Sequence, residues 1–226
     1  MTKLVFWDVD TLYDFMKSDG KLYVPGSEEI IPAVKQLTDF AHRNRIPIVA
    51  SADNHEPTDP EISAAPDWKS TFPPHCMRGT AGQLKIAETA LHSPLVIEPE
   101  LQDPGALAQQ VLAHRGDILL NKRALDVFTN PNVTAVLRAL EPEAVVIYGV
   151  ATDFCDRYTV DGLLHRLPQA VLYLVRDAVR AINPAEGERL IQEWQRRGVR
   201  LITTPEIVEH NALLAHLPAR PMAPVR

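Results

Sequence analysis

Short apolar or β-branched runs recur along the chain at residues 4–7, 47–50, 94–97, 117–120, 144–148, 170–175 and 199–203. Each is short and apolar enough to be a strand buried on both faces. Segments with helical spacing separate them: Ile30, Ile31, Val34, Leu37 and Phe40 first, then 106–113, 133–140, 158–164 and 190–194. Strand and helix alternating this often predict a mostly parallel sheet with helices on both faces, whose chemistry gathers at the carboxyl ends of the strands. One stretch breaks the rhythm. Residues 54–82, rich in Pro, Asp and Ser, make a connection long enough to predict a functional loop. We read residues 1–217 as a single domain and the Pro-rich 218–226 as a frayed or partner-packed tail.

Composition narrows the class. With 226 residues, 46% hydrophobic and 23% charged, the chain can bury a sizeable core. A net charge of −6 argues against affinity built on neutralising nucleic-acid phosphates, so a small-molecule partner is expected. No apolar run approaches the ~18 residues of a membrane span, and Met1-Thr2-Lys3 leads straight into an apolar strand with no secretory pattern. A cytoplasmic protein with no membrane partner is the expectation. Two cysteines, Cys76 and Cys155, are too few for a disulfide framework and are expected as thiols.

Polar residues stand where the strands end. Asp8 follows the first, Asp53 and His55 the second, Lys122 the fourth, and Cys155 lies a few residues beyond the fifth. Singly, each has an ordinary explanation as a cap, a solvated lysine or a buried thiol. Together they are the parts for covalent acyl transfer. A thiol near pKa 8.5 is only a few per cent thiolate at neutral pH, so it needs a base and a cation. Asp8 can take the proton, Lys122 can favour the thiolate, and a helix starting around Cys155 would add its dipole. Asp53-Asn54-His55 points two potential ligands to one side of an extended chain, and His75 could return from the long loop to complete a metal site of mixed oxygen and nitrogen donors. A capping Asp with two hydrogen-bonded histidines is the plainer account of the same residues.

Five segments change that weighting: Leu4-Val5-Phe6-Trp7-Asp8-Val9 with Asp14-Phe15, Ser51-Ala52-Asp53-Asn54-His55, Phe72-Pro73-Pro74-His75-Cys76-Met77-Arg78-Gly79-Thr80, Asn121-Lys122, and Tyr148-Gly149-Val150-Ala151-Thr152-Asp153-Phe154-Cys155. In this order they resemble the isochorismatase-like cysteine hydrolases and, within them, the nicotinamidases. The resemblance implies a three-layer α/β/α fold around a mostly parallel six-stranded sheet. It implies hydrolysis of a small carboxamide, nicotinamide foremost, to the acid and ammonia through a thioester. The implied triad is Asp8 as general acid and base, Lys122, and Cys155 as nucleophile. A cis peptide between Val150 and Ala151 is implied, with the amides of Ala151 and Cys155 as oxyanion donors.

The resemblance also implies one divalent ion, zinc, iron or manganese, on Asp53, His55 and His75. Glu61 falls near the position of a fourth ligand, with Asp59 as its competitor. Phe15, Phe72 and Phe128 are the implied walls of a flat ring, and for Phe128 ordinary core packing is the rival reading. A homo-oligomer is implied as well. Two departures stand out: the family's Asp-x-Gln-x-Asp-Phe becomes Asp8-Val9-Asp10-Thr11-Leu12-Tyr13-Asp14-Phe15, longer by two and without the Gln, and residues 84–117 form an added segment, an oligomer contact or a lid. Three alternatives accompany this reading. One is an amidase of the same family acting on another small amide, such as a carbamoyl compound. Another is a haloacid-dehalogenase-type, Mg²⁺-dependent phosphatase using Asp8 and Asp10, with Lys122 as its phosphate lysine. The third is a binding or scaffold subunit without activity.

Overall fold

The computed structural model describes residues 4–210 together with 212, 213 and 216; the expected tail at 218–226 lies outside them. Seven parallel strands form one sheet: β1 (Leu4–Val9), β2 (Ile48–Asp53), β3 (Leu95–Ile97), β4 (Ile118–Lys122), β5 (Ala144–Val150), β6 (Val171–Arg180) and β7 (Arg200–Ile202). Their order is β3-β4-β2-β1-β5-β6-β7. The sheet thus has seven strands, not six, and its two edges are three-residue strands. The central strands β1, β2 and β5 are buried along their whole length, which is why they read as continuous apolar runs rather than alternating ones.

Helices cover both faces: α1 (Tyr13–Met16), α2 (Ser27–Asn44), α3 (Pro104–Ala113), α4 (Val133–Leu140), α5 (Cys155–Arg166), α6 (Pro184–Arg196) and α7 (Thr204–Val208). One face packs Ile30, Val34, Leu37 and Phe40 of α2 with Phe15, Met16 and Ile207. The other packs Leu107, Val136, Leu163 and Trp194, one from each of α3 to α6. This is the three-layer arrangement. Among the described residues no helix is long and apolar enough to cross a membrane.

Register decides which polar groups meet. Asp53 and Lys122 are paired directly across β2 and β4, and Asp8 is paired with Ala50 on one side and Tyr148 on the other. β1 and β5 then draw together at Gly149, where φ is +129° and a Cβ would lie 2.0 Å from the Val9 carbonyl oxygen. Only glycine lets the two strand ends approach this closely.

The long connection after β2 is tied down by backbone hydrogen bonds. His55 N donates to Cys76 O and Arg78 N to His55 O, while Phe72 N donates to Glu61 O and Ser63 N to Phe72 O. Buried Asp14 anchors it from below by accepting the Cys76 amide at 2.7 Å. Residues 55, 61, 72 and 75 are thereby folded back over the carboxyl edge of the sheet. The segment 84–117 has two parts. It begins as a strap against residues 11–13, through Tyr13 N to Leu84 O and Ile86 N to Thr11 O, and then supplies β3 and α3.

Candidate active site

Lys122 stands at the end of β4 with its ammonium fully enclosed, and three acceptors share it. Nζ lies 3.0 Å from Oδ2 of Asp10 and 3.6 Å from Sγ of Cys155, and it donates to Oδ1 of Asp53. Oxygens of Asp10 and Asp53 and the sulfur of Cys155 all lie within 4.8 Å of one another. Burial works against the Lys122 charge, yet Asp10 and Asp53 outweigh it and hold the ammonium well above its usual range. Burial likewise pushes the Cys155 thiol well above its usual value, with Lys122 opposing and the two carboxylates adding to the rise. Burial thus favours the thiol over the thiolate, and a carboxyl group stands beside it where it could accept the proton.

The carboxylate in this cluster is Asp10, not Asp8. The chain leaves β1 at Val9, and Asp10 follows with φ +46°, its Oδ1 accepting a 2.6 Å hydrogen bond from Ser51 Oγ. Asp8, two residues earlier, is fully buried among Thr11 and Lys85, 3.0 Å from the Lys85 ammonium. Burial raises Asp8 above the usual carboxylate range even with Lys85 alongside. The expectation that Asp8 meets Lys122 and Cys155 is thus corrected by one strand repeat. A signal for this was present. Counting back from Asp14-Phe15, the spacing Asp-x-x-x-Asp-Phe leads to Asp10, with Leu12 where the family commonly has Gln.

Cys155 opens α5, four residues after Ala151 of the cis peptide Val150–Ala151. Cys76, the other thiol, is fully buried in the core cluster that includes Phe15 and Met16, and burial pushes its pKa well above the usual value.

Asp53, His55, Glu61 and His75 form a second buried group, with one donor atom from each within 4.8 Å of the others. The imidazole Nε2 of His75 is 3.8 Å from both Asp53 Oδ2 and Glu61 Oε1, and that of His55 is 3.8 Å from Asp53 Oδ1 and Glu61 Oε1. Four ligands placed tetrahedrally about 2.1 Å from one centre would be roughly 3.4 Å apart. Asp53 Oδ2, His55 Nε2 and Glu61 Oε1 are enclosed and have no hydrogen-bond partner among the described residues. Such orphaned atoms, aimed at one point, fit a divalent cation. The outer nitrogens are occupied: His55 Nδ1 faces Asp59 Oδ2 at 3.3 Å and His75 Nδ1 faces the Pro73 carbonyl at 2.8 Å. That leaves each Nε2 available to a metal ion, with Asp59 placed to orient His55 and Glu61 able to complete the donor set. Asp53 touches both groups, since its other oxygen holds Lys122.

Between the sulfur and these donors lies a narrow, largely apolar pocket, lined by Phe15, Phe72, Phe154, Leu22, Val24, Leu125 and Ile182 as well as by Asp53, Glu61, His75 and Cys155. Phe15 and Phe72 both face the His75 ring, at 5.5 and 6.1 Å between centroids. Phe128 is elsewhere. It packs 6.4 Å from the Trp7 ring on the opposite side of the sheet, with the Arg166 guanidinium 3.9 Å over its own ring and Gly162 against its edge. Its expected place as a ring wall is corrected to core packing. Phe154, Leu22, Val24, Leu125 and Ile182 stand alone in turns and connections, where an apolar residue carries no periodicity to read.

The isochorismatase domain family matches residues 2–206 of this chain. A nicotinamidase of Acinetobacter baylyi is 26% identical over 206 residues, covering 84% of this chain and 87% of its own length. Among solved structures, the pyrazinamidase of Pyrococcus horikoshii in complex with zinc has a TM-score of 0.69 at 25% identity, over 89% of this chain and 99% of that one. The N-carbamoylsarcosine amidase of Thermoplasma acidophilum has a TM-score of 0.67 at 25% identity, over 89% and 96%. With its fold, its cysteine and its carboxylates arranged as above, this chain belongs to the isochorismatase family as a nicotinamidase-like member, and it is an amidohydrolase.

Proposed function

We propose that the protein hydrolyses nicotinamide to nicotinate and ammonia through a Cys155 thioester, with Asp10 as general acid and base. The observation that carries this reading is the meeting of two buried groups, Asp10–Lys122–Cys155 and Asp53–His55–Glu61–His75, across a slot walled by Phe15 and Phe72. A bound zinc, iron or manganese ion would supply a Lewis-acid anchor for the pyridine nitrogen. Phe15 and Phe72 hold the ring flat and exclude water, leaving the carboxamide over Sγ. Cys155 attacks the carbonyl carbon as its thiol proton passes to Asp10, and Asp10 returns that proton to the departing ammonia. Water then attacks the thioester with Asp10 as base and releases the acid. The Lys122 ammonium, 3.0 Å from Asp10 Oδ2, holds that carboxyl group in place beside the sulfur. The backbone amides of Ala151 and Cys155 are the proposed oxyanion donors, each worth about 3 kcal/mol in related chemistry.

Ammonia release from nicotinamide by metal-loaded protein is the test, with Cys155→Ala as control. Turnover that vanishes in the variant supports the scheme, and equal rates refute it. A second reading, hydrolysis of another small amide such as a carbamoyl compound, is favoured by the likeness to the Thermoplasma amidase. The four-donor group beside an apolar slot weighs toward an aromatic nitrogen heterocycle, and the two amides assayed in parallel decide. The phosphatase alternative finds no support: it needs an open Asp8 nucleophile, and Asp8 is sealed beside Lys85. A scaffold without activity does not describe an amidohydrolase with its thiol, lysine and carboxylate in mutual reach.

A further inference from the structure

Lys85 and Asp8 form a second buried ion pair next to the triad, and the scheme above uses neither. The Lys85 side chain is only 9% exposed, and its ammonium lies 3.0 Å from Asp8 Oδ2 and 2.8 Å from Thr11 Oγ1. Thr11 donates its one hydroxyl hydrogen to Asp8, at 2.8 and 3.1 Å to the two oxygens, and accepts from Lys85 and, at 2.7 Å, from Thr89. The hydroxyl thus has every hydrogen-bonding position filled. Backbone bonds repeat the link, since Leu12 bridges Lys85 and Thr11 O accepts from Ile86 N.

Stability does not account for such a pair. Replacing a buried ion pair with apolar groups of similar volume is commonly neutral or stabilising. Its position is more informative. Asp10 is held at φ +46°, a left-handed conformation that persists only when the surroundings fix it. Ser51 and Lys122 fix its carboxylate, whereas its backbone is fixed on the following side by Thr11, the residue Lys85 clamps.

Resting on the amidase reading, we propose that Lys85 is a positioning residue for Asp10, gripping the turn through Thr11, with Asp8 serving as its buried counter-ion. The strap that opens the added segment 84–117 then has a role in presenting the base.

The test compares Lys85→Met, Lys85→Arg and the double variant Asp8→Asn with Lys85→Met. Two readouts are taken: kcat and KM for amide hydrolysis, and the rate at which iodoacetamide alkylates Cys155, resolved from Cys76 by peptide mass spectrometry. Lys85→Met is expected to lower kcat by about 10- to 100-fold while KM changes little, the size of effect a displacement near 1 Å produces. Cys155 alkylation should slow with it, and Lys85→Arg should restore much of both. The double variant removes both charges, so it should regain thermal stability without regaining kcat, because Thr11 is still unclamped. Wild-type kcat and alkylation in Lys85→Met, or recovery of kcat together with stability in the double variant, overturns the proposal. Should the wild type turn over no amide, the functional reading fails, yet the alkylation rates still decide the role of Lys85. Should Lys85→Met not fold, Lys85→Arg and the double variant carry the comparison.

Discussion

Asp10 Oδ2 sits 3.0 Å from Lys122 Nζ, and the same ammonium reaches the sulfur of Cys155. One enclosed cation therefore spans the proposed base and the proposed nucleophile. Asp10→Asn should lower kcat/KM by about 10³-fold, within the range for loss of a general acid-base group. Asp8→Asn should cost far less activity and instead lower stability by roughly 3 kcal/mol, because it leaves Lys85 enclosed without its counter-ion. Ammonia release and urea denaturation on both variants check this. The reverse pattern would return the base to residue 8.

The same two aspartates show what sequence could reveal about this molecule. Apolar runs marked the strands because the central ones are buried on both faces, and the pairing of Asp53 with Lys122 follows once each is placed at a strand end. Asp8 looked like a strand end because an acid interrupts the run there. In the structure β1 continues to Val9 and tolerates the buried charge only because Lys85 neutralises it from a segment 77 positions away in number. No local pattern reports such a pair. Glu61 and Asp59 were hard to separate for a related reason: their distances to His55 depend on the ladder that pairs residue 61 with Phe72. Phe128 carries the residue type of a ring wall, but whether it packs on the pocket or the far side of the sheet is set by the helix that meets it.

Asp59 offers a test of the metal site that touches no donor. It holds His55 Nδ1 at 3.3 Å and accepts the Glu56 amide at 2.9 Å. Asp59→Asn should weaken metal affinity by about 10- to 100-fold, the usual cost of removing a partner that orients a ligating histidine. Competition with a chromogenic chelator measures it directly. Affinity equal to wild type would mean that His55 is held by its backbone alone. Glu61→Gln should weaken binding as well, because it removes the charge of one of the four donors.

Phe128 separates packing from substrate contact. Phe128→Ala should lower stability by about 3 kcal/mol, the order found when a packed aromatic is truncated, and leave KM for the amide close to wild type. Gly162→Ala should destabilise for the complementary reason, since its new Cβ would fall 1.9 Å from the Phe128 ring. Phe72→Ala, by contrast, should raise KM. If Phe128→Ala raises KM as much as Phe72→Ala does, the pocket extends farther than its lining shows.

Asp156 gives the protein a pH dependence of stability whose sign can be worked out. It stands in the first turn of α5, where a carboxylate would ordinarily be favoured, yet it is fully buried and neither oxygen has a hydrogen-bond partner among the described residues. Burial, reinforced by Asp10 and Asp153, pushes its pKa well above the usual range. The folded chain therefore keeps this proton at pH values where the unfolded chain, with an ordinary value of about 4, has lost it. Stability contributed by the protonated form is complete below that value and falls as pH rises, by up to about 1.4 kcal/mol per pH unit until the folded group itself ionises. Asp156→Asn removes the ionisation while keeping the shape. Urea unfolding at pH 5 and pH 8 should show the variant gaining on wild type as pH increases, and an equal difference at both values would mean that Asp156 is already ionised in the folded protein.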